Sequence, residues 1–172
     1  MLYWNFENFD QLDIYQLKMS KFLRFEEKIS ASFGKKDYYE AHQLYRTLYF
    51  RLSALNQWQE LQDLLYNGAF KLIEVKEPTS ALDLAELYAD VLLKSRTPVK
   101  SDTLDKFEKL FAALPSHLEK DTIADGKSVE RRDHFLSQSI KWSMEVSDKR
   151  RYKQKGHGGL HRFFKYKIKP CG

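Results

Sequence analysis

The sequence predicts an all-α protein, a tetratricopeptide-like α-solenoid of antiparallel helix hairpins. Three observations carry that prediction. Apolar residues recur at helical spacing in six successive segments, short breaks holding Gly, Pro, Asp or Ser separate them, and no segment alternates with the period of two that marks a strand. Hairpins would begin near residues 21, 57 and 101, separations close to the ~34–47 residues of helical repeats, although the letters themselves do not repeat.

The first 18 residues are aromatic-rich without a period and precede Met19; they read as an extension, separate from a helical-repeat domain over 19–148. The first helix spans about 21–33, with Phe22, Phe25, Ile29 and Phe33 on one side and Gly34 as the expected left-handed cap. Asp37 is the expected N-cap of the second helix, with Glu40 placed to complete a capping box. Ala41, Leu44, Tyr45, Leu48, Leu52 and Leu55 form its buried stripe, and Tyr38, His42, Arg46 and Tyr49 form a second stripe beside it.

In the third helix Trp58, Leu61, Leu64, Leu65, Ala69, Leu72 and Ile73 keep the same period, and Gly68 inside the stripe predicts close approach of a neighbouring helix. A mid-helix glycine costs about 1 kcal/mol against alanine, so packing has to supply its reason. Pro78 is expected to end this helix and Ser80 to cap the fourth, which places Asp83 in its first turn. Ser101 is expected to cap the fifth helix, carrying Leu104, Phe107, Leu110, Phe111 and Leu114. Ser128 starts the sixth, with Arg132, Phe135, Leu136, Ser139, Trp142, Ser143 and Val146 along one side.

The 172 residues are 42% hydrophobic, 15% aromatic and 31% charged, with only 7 Gly and 4 Pro, which excludes collagen-like, low-complexity and wholly disordered classes. No run approaches the ~18 apolar residues of a membrane span, and no basic stretch leads into an apolar core at the N-terminus. A soluble, unsecreted protein is expected. The single cysteine, Cys171, can form no internal disulfide. The net charge of +5 is unevenly held: residues 149–172 contain nine Lys or Arg and no acid, so the preceding chain carries −4.

No P-loop, GxGxxG, GxSxG, HExxH or CxxC pattern is present, so no recognised catalytic motif exists and no cofactor is called for. His157 and His161 have i,i+4 spacing, but three glycines around the first disfavour a helix there, and an ordinary loop is preferred over a metal site. The basic run from Lys149, with Phe163, Phe164 and Tyr166 interleaved, has the makings of a nucleic-acid surface; a solvated tail is the preferred reading. The stripe Tyr38, His42, Arg46, Tyr49 combines aromatic area with a planar cation, the composition of protein–protein hot spots. A solenoid helix packs on two sides, so the same stripe also suits burial between helices.

The run from Lys36 to Arg51, KDYYEAHQLYRTLYFR, resembles the signature of the Golgi-to-ER traffic protein 4 family. Tyr66-x-Gly68-Ala69, Asp83-Leu84, Lys141-Trp142-Ser143 and Gly156-His157 with Leu160-His161 add to the resemblance, which covers about Phe22 to Phe164. The resemblance implies a cytosolic, non-enzymatic α-solenoid scaffold in the guided entry of tail-anchored proteins. It implies that the N-terminal helices contact the client-carrying targeting ATPase, with Tyr38, His42, Arg46, Arg51 and Asp83 as the matching partner-binding residues. A ubiquitin-like subunit and, in animals, a BAG-type chaperone subunit are the further partners implied. Glycine stands at 158 and 159 where the family pattern expects proline, and the tail then departs from it, so a C-terminally truncated solenoid lacking the ubiquitin-like partner's site is expected. The rival readings are a basic nucleic-acid-binding module acting through 149–172 and a general tetratricopeptide-like adaptor for another partner.

Overall fold

The computed structural model describes residues 22–114 and 127–151, the last stretch with side chains from Arg132 to Val146. Residues 1–18, the GHGGLH histidines, Cys171 and the tail beyond Arg151 lie outside the described residues. Among those described, every regular element is an α-helix: α1 (22–34), α2 (Tyr38–Ala54), α3 (Trp58–Glu74), α4 (Pro78–Lys94), α5 (Ser101–Ala113) and α6 (Lys127–Arg151). The solenoid expected from the sequence is the fold adopted, and α6 runs unbroken across position 148.

The turns between the first helices share one geometry. Lys36, Asn56, Lys76 and Arg96 all have left-handed backbones, with φ of 59°, 54°, 62° and 51°. The N–H of the next residue reaches back five positions in each case, from Asp37 to Ser32 O and from Gln57 to Leu52 O at 2.9 Å, from Glu77 to Leu72 O at 2.9 Å and from Thr97 to Leu92 O at 3.1 Å. Together with the shorter bond from each left-handed residue to the carbonyl three positions back, this is a Schellman motif, which satisfies carbonyls that the helix end would otherwise orphan. The four left-handed residues are spaced 20 apart, and α2, α3 and α4 are each 17 residues long.

Several sequence expectations are corrected by these turns. Gly34 lies inside the last turn of α1, and Lys36 takes the left-handed position instead. Asp37 does cap α2, accepting the Glu40 N–H at 2.9 Å, but the capping box is not reciprocal. The Asp37 N–H is already committed to Ser32 O, so Glu40 instead accepts the Ser32 hydroxyl at 2.8 Å. Pro78 opens α4 rather than ending α3, because a residue without an N–H suits the first helical position. Glu77 is the N-cap, Ser80 lies within the helix, and Asp83 falls beyond the first turn. Lys100 precedes α5 as its N-cap, with Ser101 the first helical residue. Leu55 follows the end of α2 and is 48% exposed, and Leu44 is only half-buried.

Short turns make the successive helices α1 to α4 antiparallel, with α2 parallel to α4; α6 packs on α4 and α5 on α3, which extends the α2–α4 and α1–α3 layers. Helix α4 is the centre: it packs on α2, α3 and α6. Its buried residues Ala81, Leu82, Leu84, Ala85, Tyr88, Ala89, Val91 and Leu92 cover about half its circumference at 100° per residue. Gly68 has the use its position predicts. A Cβ there would stand 2.7 Å from the Tyr45 ring of α2 and 3.1 Å from Leu84 of α4, so three helices meet where only a hydrogen fits. At the far end Phe107, Phe111 and Phe135 join α5 to α6 with ring separations of 5.1–6.3 Å. Trp142 is fully buried and donates its indole N–H to Thr97 O at 2.9 Å, while Gln62 of α3 donates to Thr97 Oγ1 at 2.8 Å. The turn after α4 thus ties α3 to α6.

Two outcomes are expected. A left-handed backbone costs a side-chain-bearing residue about 1–2 kcal/mol, partly offset by the flexibility glycine loses on folding, so Lys76→Gly raises unfolding stability by about 0.5–1 kcal/mol while Lys76→Val lowers it. Gly68→Ala destabilises by about 1–3 kcal/mol in urea unfolding, although alanine is the better helix former, because the buried Tyr45 ring has to move.

Candidate functional site

Helices α2 and α4 lie parallel, and polar pairs stitch the seam between them. Asp83 on α4 accepts from Arg46 Nη1 at 2.9 Å and 3.0 Å and lies 2.8 Å from His42 Nε2. His42 and Asp83 are largely buried, with 12% and 16% of their side chains exposed, and Arg46 retains 39%. One turn connects His42 to Arg46, so both reach the same carboxylate from the same helix face. Two turns further along, Tyr49 donates to Asp90 at 2.5 Å and Lys94 bridges both, 2.8 Å from the Tyr49 hydroxyl and 2.8 Å from Asp90. The pairs His42–Asp83 and Tyr49–Asp90 are each 41 positions apart in sequence, so a single register fixes both clusters.

The environment acts on the second cluster in a definite direction. Burial and the hydrogen bond to Asp90 push the Tyr49 phenol up, against the opposing effect of Lys94. Lys94 is itself raised, chiefly by the hydrogen bond to Asp90 and then by that to Tyr49. Burial also pushes Tyr45, behind the seam, up to about 12, with a smaller contribution from Glu26.

The structure divides the five residues singled out from the sequence. His42, Arg46 and Asp83 converge, and Asp83 acts across the helix pair rather than on the α4 N-terminus, because the helix starts earlier than the Ser80 cap would place it. Tyr38 packs back on α1, its ring 5.8 Å from Phe33. Arg51 also faces α1, with its guanidinium 4.7 Å from the centre of the Phe25 ring. The sequence reading does not single out Asp90 or Lys94; the seven-residue step from Asp83 to Asp90, matching that from His42 to Tyr49, is the signal that finds them. Outside the seam, α2 exposes Tyr39 (75%) and Phe50 (61%) beside Arg46. Among the described residues no cluster of three His, Cys, Asp or Glu could hold a metal ion, and no helix is long and apolar enough to cross a membrane.

The sequence model of the family described as Golgi to ER traffic protein 4 matches residues 55–167, most of the chain. The chain belongs to the Golgi to ER traffic protein 4 family. It is 40% identical over 138 residues to the Golgi to ER traffic protein 4 homolog of Takifugu rubripes, covering 80% of this chain and 38% of that protein. Identity to the Homo sapiens homolog is 36% over 138 residues, covering 80% of this chain and 37% of the relative. A solved structure titled "Crystal structure of C. therm. Get4" superposes with a TM-score of 0.58 at 20% identity, over 73% of this chain and 38% of that one, and shares the fold. The chain therefore spans under two-fifths of the length of these relatives. The family match takes in Asp83 but starts after Tyr38, His42, Arg46 and Arg51, and it runs to 167, through most of the basic segment.

The raised groups set an alkaline limit on stability. A phenol held neutral in the fold contributes fully below its ordinary value of 10.0 and loses that contribution as pH rises through its folded value. The urea midpoint is expected to fall between pH 10 and pH 12, and Tyr45→Phe to remove on the order of 2–3 kcal/mol of that loss.

Proposed function

We propose that this chain is a non-enzymatic scaffold in the guided entry of tail-anchored proteins into the ER membrane, working in the cytosol and binding the client-carrying targeting ATPase through its N-terminal helices. Family membership supports the pathway, and the α2–α4 seam carries the partner assignment. Arg46 is held by Asp83 at the edge of the seam with much of its guanidinium still open, between the exposed rings of Tyr39 and Phe50. A planar cation fixed in place beside aromatic area loses little entropy on binding, which is the property of a hot spot. In this reading Tyr38 and Arg51, packed on α1, hold the edge of the surface, and His42 and Asp83 set the direction of Arg46. The resemblance assigns the ubiquitin-like subunit to the C-terminal half of the family's longer fold, and the matched relatives extend well beyond the length of this chain.

Calorimetric titration of the full 172-residue chain with the targeting ATPase tests the proposal. Binding tighter than about 10 µM is expected, weakening with salt, and about tenfold weaker for Arg46→Ala. A folded chain that shows no heat at about 50 µM ATPase removes this reading and leaves a helical adaptor for some other partner.

A further inference from the structure

The layer made by α1, α3 and α5 faces away from the α2–α4 seam and carries a groove of its own. Between α3 and α5 an open groove of about 970 Å³ is floored by Tyr66 and Phe70 and walled by Lys71 and Glu74 on α3 and by Lys109 and Ala112 on α5. We propose that this groove binds an acidic amphipathic peptide segment of a partner protein, its apolar side chains on the two rings and its carboxylates on Lys71 and Lys109.

The floor is rigid. Tyr66 and Phe70 meet edge to face at 5.0 Å, Tyr66 packs on the buried Tyr88 ring at 5.8 Å, and Lys106 covers Tyr66 at 5.4 Å while bonded to Asp63 at 2.9 Å. Burial alone would raise the Asp63 carboxyl; the hydrogen bonds from Lys106 and Gln59 outweigh it and hold that carboxyl below its ordinary value. The charge of Lys106 is therefore engaged by Asp63 at the surface. Lys71 and Lys109 are different: both are exposed, they stand on opposite walls, and neither has an ion-pair partner among the described residues. Alanine at 112 leaves the α5 wall low enough for a helix to lie between α3 and α5, the helix-in-groove mode of recognition. A like-charged boundary limits the site on its other side. The adjoining cavity between α1 and α3 shares Lys71 but is lined by Glu26, Glu60 and Asp63, whereas Lys71 and Lys109 outnumber the single acid of the α3–α5 groove, Glu74, so an acidic segment is favoured over α5 and repelled over α1.

The test is fluorescence anisotropy of the full chain with a short labelled peptide in which Leu and Phe alternate with Glu at helical spacing. Saturable binding is expected, weakened about tenfold or more in the surface variant Lys71→Glu/Lys109→Glu, whose fold is checked by circular dichroism, and weakened likewise by Phe70→Ala. Arg46→Ala is expected to leave it unchanged, which separates this site from the ATPase reading. The proposal is overturned by no saturation up to about 200 µM, by equal binding of the same peptide with Lys in place of Glu, or by unchanged binding in the charge-reversed variant. Self-association of the chain that the charge reversal abolishes would assign the groove to a second copy and overturn it as well.

Discussion

A left-handed residue every 20 positions governs this molecule. The first three Schellman turns each end one helix and begin the next within three residues, so helix length and turn length are both fixed from α1 to α4, while six residues separate α4 from α5. Repeating that unit brings α2 and α4 parallel in one register, and the pairs His42–Asp83 and Tyr49–Asp90 follow from it. A slip of α4 by one residue along its own helix would turn its face by about 100° and carry both carboxylates away from α2. The backbone cost at three basic residues and one asparagine is small beside the burial it permits, because α4 is closed off on three sides by α2, α3 and α6.

The same regularity gives each layer its own charged contacts. Ion pairs fill the seam of the α2–α4–α6 layer, where half-buried charges hold one another and leave Arg46 at the edge. In the α1–α3–α5 layer the Tyr66–Phe70 rings lie beneath Lys106, which is itself paired with Asp63. Gly68 connects the layers by letting Tyr45 and Leu84 meet over a backbone without a side chain, and the turn at Thr97 connects α3 to α6 through hydrogen bonds. A half-exposed pair such as Arg46–Asp83 adds about 1 kcal/mol or less to stability, so its position is better explained by orientation than by holding the fold together.

Much of the fold was legible in the residues because burial follows period. The stripes on α3, α5 and α6 were readable, as was Gly68, since each depends only on spacing within one helix. The turns were not legible in the same way. Glycine at 34 and proline at 78 are the usual markers of helix ends, but a Schellman turn can seat lysine, asparagine or arginine in its left-handed position when the packing on both sides demands it, and proline suits a first helical position as well as a stop. The error at Pro78 then moved Asp83 into a first turn it does not occupy. Of the candidate site, Arg46, His42 and Asp83 were each visible as residues, whereas their contact depends on the relative placement of two helices 41 positions apart.

The sequence by itself determined that the chain is helical, that its helices are one-sided, that a neighbour must approach Gly68, and which family it resembles, because these are properties of local period and motif. Only the tertiary structure decided which stripe faces which. It turned Asp83 from a helix-end carboxylate into the acceptor of His42 and Arg46, directed Arg51 and Tyr38 toward α1, and opened the Tyr66–Phe70 groove on the other layer. The physical reason is that a helix specifies its own faces through side-chain order, while the partner of each face is set by the angle and register that the turns impose.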